Sequence, residues 1–126
     1  MQEISIKNLT QQLEIIQLQE KISGNHSDIP VKFFSPTKDE LSFYQLSDES
    51  PDMYVIINFV NLDKRTDTII TLNQLIDKLK NLGAEYQDTY IDFIDQRIDN
   101  DSMDLGPVSF ENNEVLIQFI EWSGRK

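Results

Sequence analysis

Apolar residues recur at helical spacing in two places along this chain. Ile6, Leu9, Leu13 and Ile16 are separated by 3, 4 and 3 positions, and so are Leu72, Leu75, Leu79 and Leu82. That spacing lays one apolar stripe along one face of a helix. Ser5 and Thr71 stand just before the stripes and are N-cap residue types. Gly24 and Gly83 follow them, where a chain leaving a helix adopts left-handed backbone. The pattern predicts helices over 6–23 and 72–82.

Short runs with strand character follow each helix. Val31-Lys32-Phe33-Phe34 matches Ile91-Asp92-Phe93-Ile94, and Val55-Ile56-Ile57-Asn58-Phe59-Val60 matches Val115-Leu116-Ile117-Gln118-Phe119-Ile120, both at an offset of 60. The two helices align at an offset of 66. The change in offset fits a longer first helix. Between these strands lie Leu41-Ser42-Phe43-Tyr44 and Val108-Ser109-Phe110-Glu111, which match only with a gap. The chain therefore reads as two helix-strand-strand-strand units, 3–61 and 67–122, joined by the polar segment 61–67.

Half of this chain is about 60 residues, a size at which burial is marginal. Two such units gain by pairing strands or packing faces. The expected fold is α+β: one compact domain over 1–126, pseudo-twofold, with two helices and about six mainly antiparallel strands. One continuous sheet and two sheets in contact are both open at this point. The strands 54–60 and 114–120 are apolar on both faces, which predicts central or doubly covered strands. Asn58 and Gln118 interrupt them at matched places. They are read either as a paired binding site on the pseudo-axis or as amides closing a hydrogen bond or facing solvent.

Composition narrows the chemistry. The chain has no cysteine and one histidine. This excludes disulfides, thiolate nucleophiles, Cys-ligated metal and any two-histidine site, and it is compatible with cytoplasm. His26 lies in the polar segment 23–28, without a Ser or Cys pattern to serve. No apolar run reaches the length of a membrane-spanning helix, and the first residues lack a signal-peptide pattern, so no membrane association is expected.

Twenty-two acids oppose eleven bases, for a net charge of -11. Four bases against ten acids give -6 over residues 1–63, and seven against twelve give -5 over 64–126. The acidity thus belongs to both units. Two stretches hold most of it: six acids and no base from Asp39 to Asp63, and ten acids with the single base Arg97 from Glu85 to Glu121. A nucleic-acid binder must neutralise phosphates, so direct nucleic-acid binding is not expected and a basic protein partner is. Aromatics among the acids, namely Phe43, Tyr44, Tyr54, Tyr86 and Tyr90, would serve as anchors where exposed.

The stretch 92–104 is the richest in carboxylates and reads as an acidic loop. Asp99-Asn100-Asp101 resembles the opening of an EF-hand, but Asp104 stands where the glycine belongs and Phe110 where the glutamate belongs. No metal and no cofactor are expected. Phosphate-cradling and nucleophile-elbow motifs are absent, and a chain this short promises little cleft for paired carboxylates. No enzymatic activity is expected.

Short length, absent cysteine, the two acidic stretches 39–63 and 85–121 and the lack of a catalytic motif together resemble small acidic inhibitors of phages and mobile elements, of the anti-CRISPR and anti-restriction kind. The resemblance covers the whole chain without a specific motif. It implies a protein that blocks a nucleic-acid-binding surface of a host defence protein, such as a nuclease or effector. The alternatives are an immunity protein, an antitoxin or an accessory interaction module, and, ranked after these, a Ca²⁺- or Mg²⁺-binding domain built on the carboxylates of 92–104. The acids expected to form the contact surface are Asp48, Glu49, Asp52, Asp92, Asp95, Asp99, Asp101 and Asp104. Oligomeric state is not set by the sequence.

Overall fold

The computed structural model describes residues 4–25, 28–48, 54–61, 70–97 and 101–122. Helix α1 spans Ile6–Ile22, followed by β1 (Val31–Phe34), β2 (Glu40–Asp48) and β3 (Val55–Asn61). Helix α2 spans Leu72–Lys80, followed by β4 (Ile91–Asp95), β5 (Asp101–Glu111) and β6 (Glu114–Glu121).

Both helices start where the capping residues stand. The Asn8 N–H donates to Ser5 Oγ at 3.1 Å. At Thr71 the capping is reciprocal. The Gln74 N–H donates to Thr71 Oγ1 at 3.3 Å. The Thr71 N–H donates to Gln74 Oε1 at 3.0 Å. The ends differ. Gly24 takes a left-handed φ of 94° directly after the C-cap Ser23. Gly83 comes two residues after the C-cap Asn81 and leads into a single 3₁₀ turn, Ala84–Tyr86. It therefore shapes the exit loop instead of ending α2.

The six strands form one sheet, closed into a barrel in chain order. β1–β2, β2–β3, β4–β5 and β5–β6 pair antiparallel, whereas β3–β4 and β1–β6 pair parallel. The architecture is α+β, with two helices and a single mixed sheet. Closure removes exposed sheet edges. The link from β3 to β4 contains α2, as a parallel neighbour requires. Between β5 and β6, Asn112 takes a φ of 52° and Asn113 a φ of 62°. They form the left-handed pair of a two-residue hairpin turn.

Strand alternation divides inside from outside. Val31 and Phe33, Val55, Ile57 and Phe59, Ile91 and Phe93, and Val115, Ile117 and Phe119 are all buried. Their rings meet inside the barrel, with Phe33–Phe59 centroids 4.8 Å apart, Phe59–Phe119 5.1 Å and Phe93–Phe119 5.0 Å. Such tilted ring contacts add to the burial energy of the core. Leu9 of α1 and Leu75 of α2 border the same interior, where only about 10 Å³ of space remains. That is too little for a small-molecule ligand. The helix starts are tied to the strand starts by backbone bonds: Ile6 N–H to Thr89 O at 2.9 Å, Ile91 N–H to Ile4 O at 2.9 Å, and Val31 N–H to Ile70 O at 3.0 Å. The helices thus close the barrel at the end where β1 and β4 begin.

β3 and β6 are central strands, each paired on both sides, but their outer faces are not covered: Tyr54 and Ile120 are exposed, and Ile56, Val60 and Leu116 are half-buried. The helices cap an end of the barrel and leave its outer wall open. Of the stretch 92–104, β4 takes the beginning, as the strand pattern at 91–94 predicts, while β5 takes the end from Asp101 onward, where the sequence reads as an acidic loop. β2 and β5 are longer than their sequence patterns indicate. Each contains a register shift, Phe43/Gln45 in one and Leu105/Val108 in the other. A bulge of this kind breaks the alternation that marks a strand.

Candidate functional site: a polar cleft at the open end of the barrel

At the end away from the helices, β1 and β4 run into tight turns. Ser35 ends the first run and Asp95 the second, and both are buried at 1% exposure. Each side chain accepts from the backbone two residues on. The Thr37 N–H donates to Ser35 Oγ at 3.2 Å, and the Arg97 N–H donates to Asp95 Oδ1 at 3.0 Å. Such local bonds let Ser and Asp stop a strand and start a turn.

Arg97 joins the two turns. Its Nε donates to Asp95 Oδ1 at 3.0 Å and its Nη2 to Asp95 Oδ2 at 2.8 Å. This is a forked, charge-assisted pair. Nη1 reaches Asp39 Oδ2 at 3.4 Å across the turn between β1 and β2. Thr37 Oγ1 donates to the same Asp39 oxygen at 2.9 Å, so Ser35 supplies the proton in its 2.9 Å contact with Thr37. The Asp95 hydrogen bond, opposed by burial, holds the Arg97 guanidinium above its ordinary pKa. Arg97 is therefore a fixed charge.

Around this relay lies a cleft of about 290 Å³, lined by Ser35, Pro36, Thr37, Asp95, Arg97, Asp101, Ser102, Met103, Glu121 and Trp122. Among the described residues, three carboxylates and one guanidinium line it, and no histidine or lysine does. The Ser35 hydroxyl serves the turn and the Ser102 hydroxyl donates to Asp92 Oδ1 at 2.9 Å, so neither hydroxyl is paired with a nitrogen base. Barrel closure gathers four strand ends around this opening, and its volume stays just under that of ordinary small-molecule pockets.

The acids expected to form a contact surface separate into distinct places. Asp95 and Asp101 line the cleft. Asp92 and Asp104 lie on the outer side of β4 and β5, near enough that Asp104 raises the pKa of Asp92. Burial is the main cause of that rise, and the Ser102 hydrogen bond opposes it. Two of the acids are not surface groups. Asp95 is the inward member of the Ile91-Phe93-Asp95 alternation, neutralised by Arg97, and Asp104 is buried at 5% exposure in register with Ile120 of β6. Asp101 and Asp92 are half-buried. Glu49, Asp52, Asp99 and the side chain of Asp48 lie outside the described residues, as do His26 and the link over 62–67.

Among the aromatics, Tyr44, Tyr54 and Tyr90 are exposed, while Phe43 and Tyr86 pack on the core. Gln118 is outward but not free: its amide donates to Ser35 O and Phe119 O, each at 2.7 Å. The amide therefore secures the turn that begins at Ser35. Asn58 stands at a strand position facing Gln45 and Ile94.

The sequence pattern did not single out Arg97, Asp39, Thr37 or Trp122 as site residues. The available signal was Arg97 itself, a lone base among ten acids. Among the described residues, no group of three or more His, Cys, Asp or Glu is placed to hold a metal ion. None of the described helices is long and apolar enough to cross a membrane.

The fold and site define a small α+β barrel with an acidic, aromatic-edged opening. Protein-family models, curated proteins and solved structures contain no match to this chain.

Proposed function

We propose that this chain is a non-enzymatic, acidic protein-binding inhibitor of the anti-CRISPR kind, acting in the cytoplasm by covering a basic nucleic-acid-binding surface of a host defence protein. The observation that carries this reading is the open barrel end. Among the described residues, its cleft is lined by Asp95, Asp101 and Glu121 against one base, Arg97, which is paired with Asp95 and Asp39. Trp122 edges the same cleft, whereas the exposed Tyr54 and Tyr90 stand at the opposite, helix-capped end; the chain as a whole carries a net charge of -11. Opposed charges steer encounter with a basic partner and repel nucleic acid. An immunity protein, antitoxin or accessory module would present the same charge, and gene neighbours separate these from an inhibitor.

Duplication of one αβββ unit belongs to the same proposal. The parallel ladders support it: Val31 faces Val115 and Val55 faces Ile91, so adding 60 to one member and subtracting 60 from the other interchanges the two pairs. Phe33 and Phe93, and Phe59 and Phe119, fill the interior at the same offset. The bridges Ser5–Tyr90 and Pro30–Thr71 relate in the same sense. A pseudo-twofold axis through the barrel accounts for all three.

The functional test is affinity capture from a host lysate followed by competition with duplex DNA or RNA. A captured protein that nucleic acid displaces, with binding that weakens as salt rises, supports the inhibitor. A partner indifferent to nucleic acid removes it in favour of an ordinary interaction module.

A further inference from the structure

We infer that two copies of this chain pair through the outer face of α1, as an antiparallel helix pair about a twofold axis. The inward stripe of α1, Ile6, Leu9 and Leu13, is spent on the core. A second apolar stripe runs along the opposite face: Ile15 is 56% exposed, Leu18 59% and Ile22 77%. Their spacing of 3 and 4 keeps them on one side of the helix. A contiguous apolar stripe in water marks a contact site. The fold itself does not demand one here. α2 ends at Lys80, and the positions matched to Ile15, Leu18 and Ile22 at the offset of 66 are Asn81, Ala84 and Asp88. The stripe thus lies on the part of α1 that its counterpart lacks.

Charge selects a second copy as the occupant. α1 and α2 together carry three of the chain's 22 acids and four of its eleven bases, so the excess of acid lies elsewhere. α1 itself is balanced, with Lys7 and Lys21 against Glu14 and Glu20. Two copies of a chain of net charge -11 repel through most of their surface and least through this face. The flanks of the stripe are also self-complementary. Glu14 and Lys21 lie on one flank, each just before an isoleucine of the stripe, and Gln12 and Gln19 lie on the other. When two such helices run antiparallel, like flanks face each other. Glu14 then meets Lys21 of the partner subunit, and Lys21 meets Glu14 of the partner subunit. Parallel helices would set both charges against the glutamine flank. Flanking charges of this kind fix helix orientation. Glu14 holds Lys80 through Oε2, and its other oxygen can accept the second lysine. The helices cap the barrel end opposite the cleft, so the pair leaves both clefts uncovered and is independent of what they bind.

Three apolar side chains per copy make a small interface, and small interfaces are weak. Sedimentation equilibrium of the full chain should show a monomer–dimer equilibrium with a Kd on the order of 10–100 µM. Leu18→Glu and Ile22→Gln change exposed residues, so the circular dichroism spectrum should hold while the Kd rises at least roughly tenfold. Glu14→Lys and Lys21→Glu should each weaken self-association, because like charges then face each other. Losing the Lys80 contact in E14K costs the fold little, since that pair is exposed. An equimolar mixture of E14K and K21E should associate more tightly than either alone, because both cross-pairs are then opposite in charge. A chain that stays monomeric at millimolar concentration overturns the inference. So does a dimer that L18E leaves intact, or a mixture no tighter than its components. Co-sedimentation of the monomeric parent, but not of L18E, with phosphatidylcholine–phosphatidylserine vesicles also overturns it and assigns the stripe to a membrane surface.

Discussion

Arg97 and Asp95 show how one pair of residues sets the chemistry of the barrel end. The Arg97 side chain is only 16% exposed and its forked contact neutralises a carboxylate that is otherwise buried. Removing one partner of such a pair costs about 3–5 kcal/mol, because the other charge stays buried alone. Arg97→Met should therefore lower stability by about that much in urea denaturation, and the R97M/D95N double variant should recover part of the loss. Asp92 gives the opposite case. Burial and Asp104 hold its carboxyl above the usual range, so the folded chain binds that proton more tightly than the unfolded chain does. Stability contributed by this group falls as pH rises from the unfolded to the raised folded value, and the penalty is complete above it. Asp92→Asn, which can still accept from Ser102, should be more stable than the parent at pH 7. The difference should vanish below about pH 4, where the carboxyl is protonated in both states. Thermal unfolding across that range checks the sign.

Among the elements, the helices and the short strands were the most legible in the sequence. The 3, 4, 3 spacing and the caps located α1 and α2 to within two residues at their ends. Thr71→Ala removes the hydroxyl side of a reciprocal cap and should cost about 1 kcal/mol by chemical denaturation. β1 and β4 were readable for the same reason, since their apolar alternation is unbroken. β2 and β5 were half-hidden because each is bulged, and β5 opens with Asp101 and Asp104, a residue type depleted in strands. The bulge in β5 explains Gly106. A Cβ there would run into the backbone oxygen of Gln118 on the neighbouring strand. Gly106→Ala should destabilise the protein by about 1–3 kcal/mol, measured as a lowered urea midpoint, because the contact is backbone and cannot rotate away.

For the whole molecule, barrel closure makes the two halves of the chain interdependent. Two of the six ladders, β3–β4 and β1–β6, join a strand from one half to a strand from the other. Fragments 1–66 and 67–126 should each lack stable structure by circular dichroism, and mixing them should restore it. Independent folding of either fragment would contradict this dependence. The ring cluster is shared in the same way, with Phe33 and Phe59 from the first half against Phe93 and Phe119 from the second. Spacing and capping, read along the chain, were enough to place both helices and the strands β1, β3, β4 and β6. Both are local properties. Composition was enough to set the charge and to exclude thiol and two-histidine chemistry. Closure of the strands into one barrel, and the capping of its end by the helices, emerged only on folding. So did the burial of Asp95 and Asp104 and the meeting of Asp39 with Arg97. These outcomes depend on which strands pair and in what register, contacts between residues as far apart as Val31 and Val115 that no local pattern encodes.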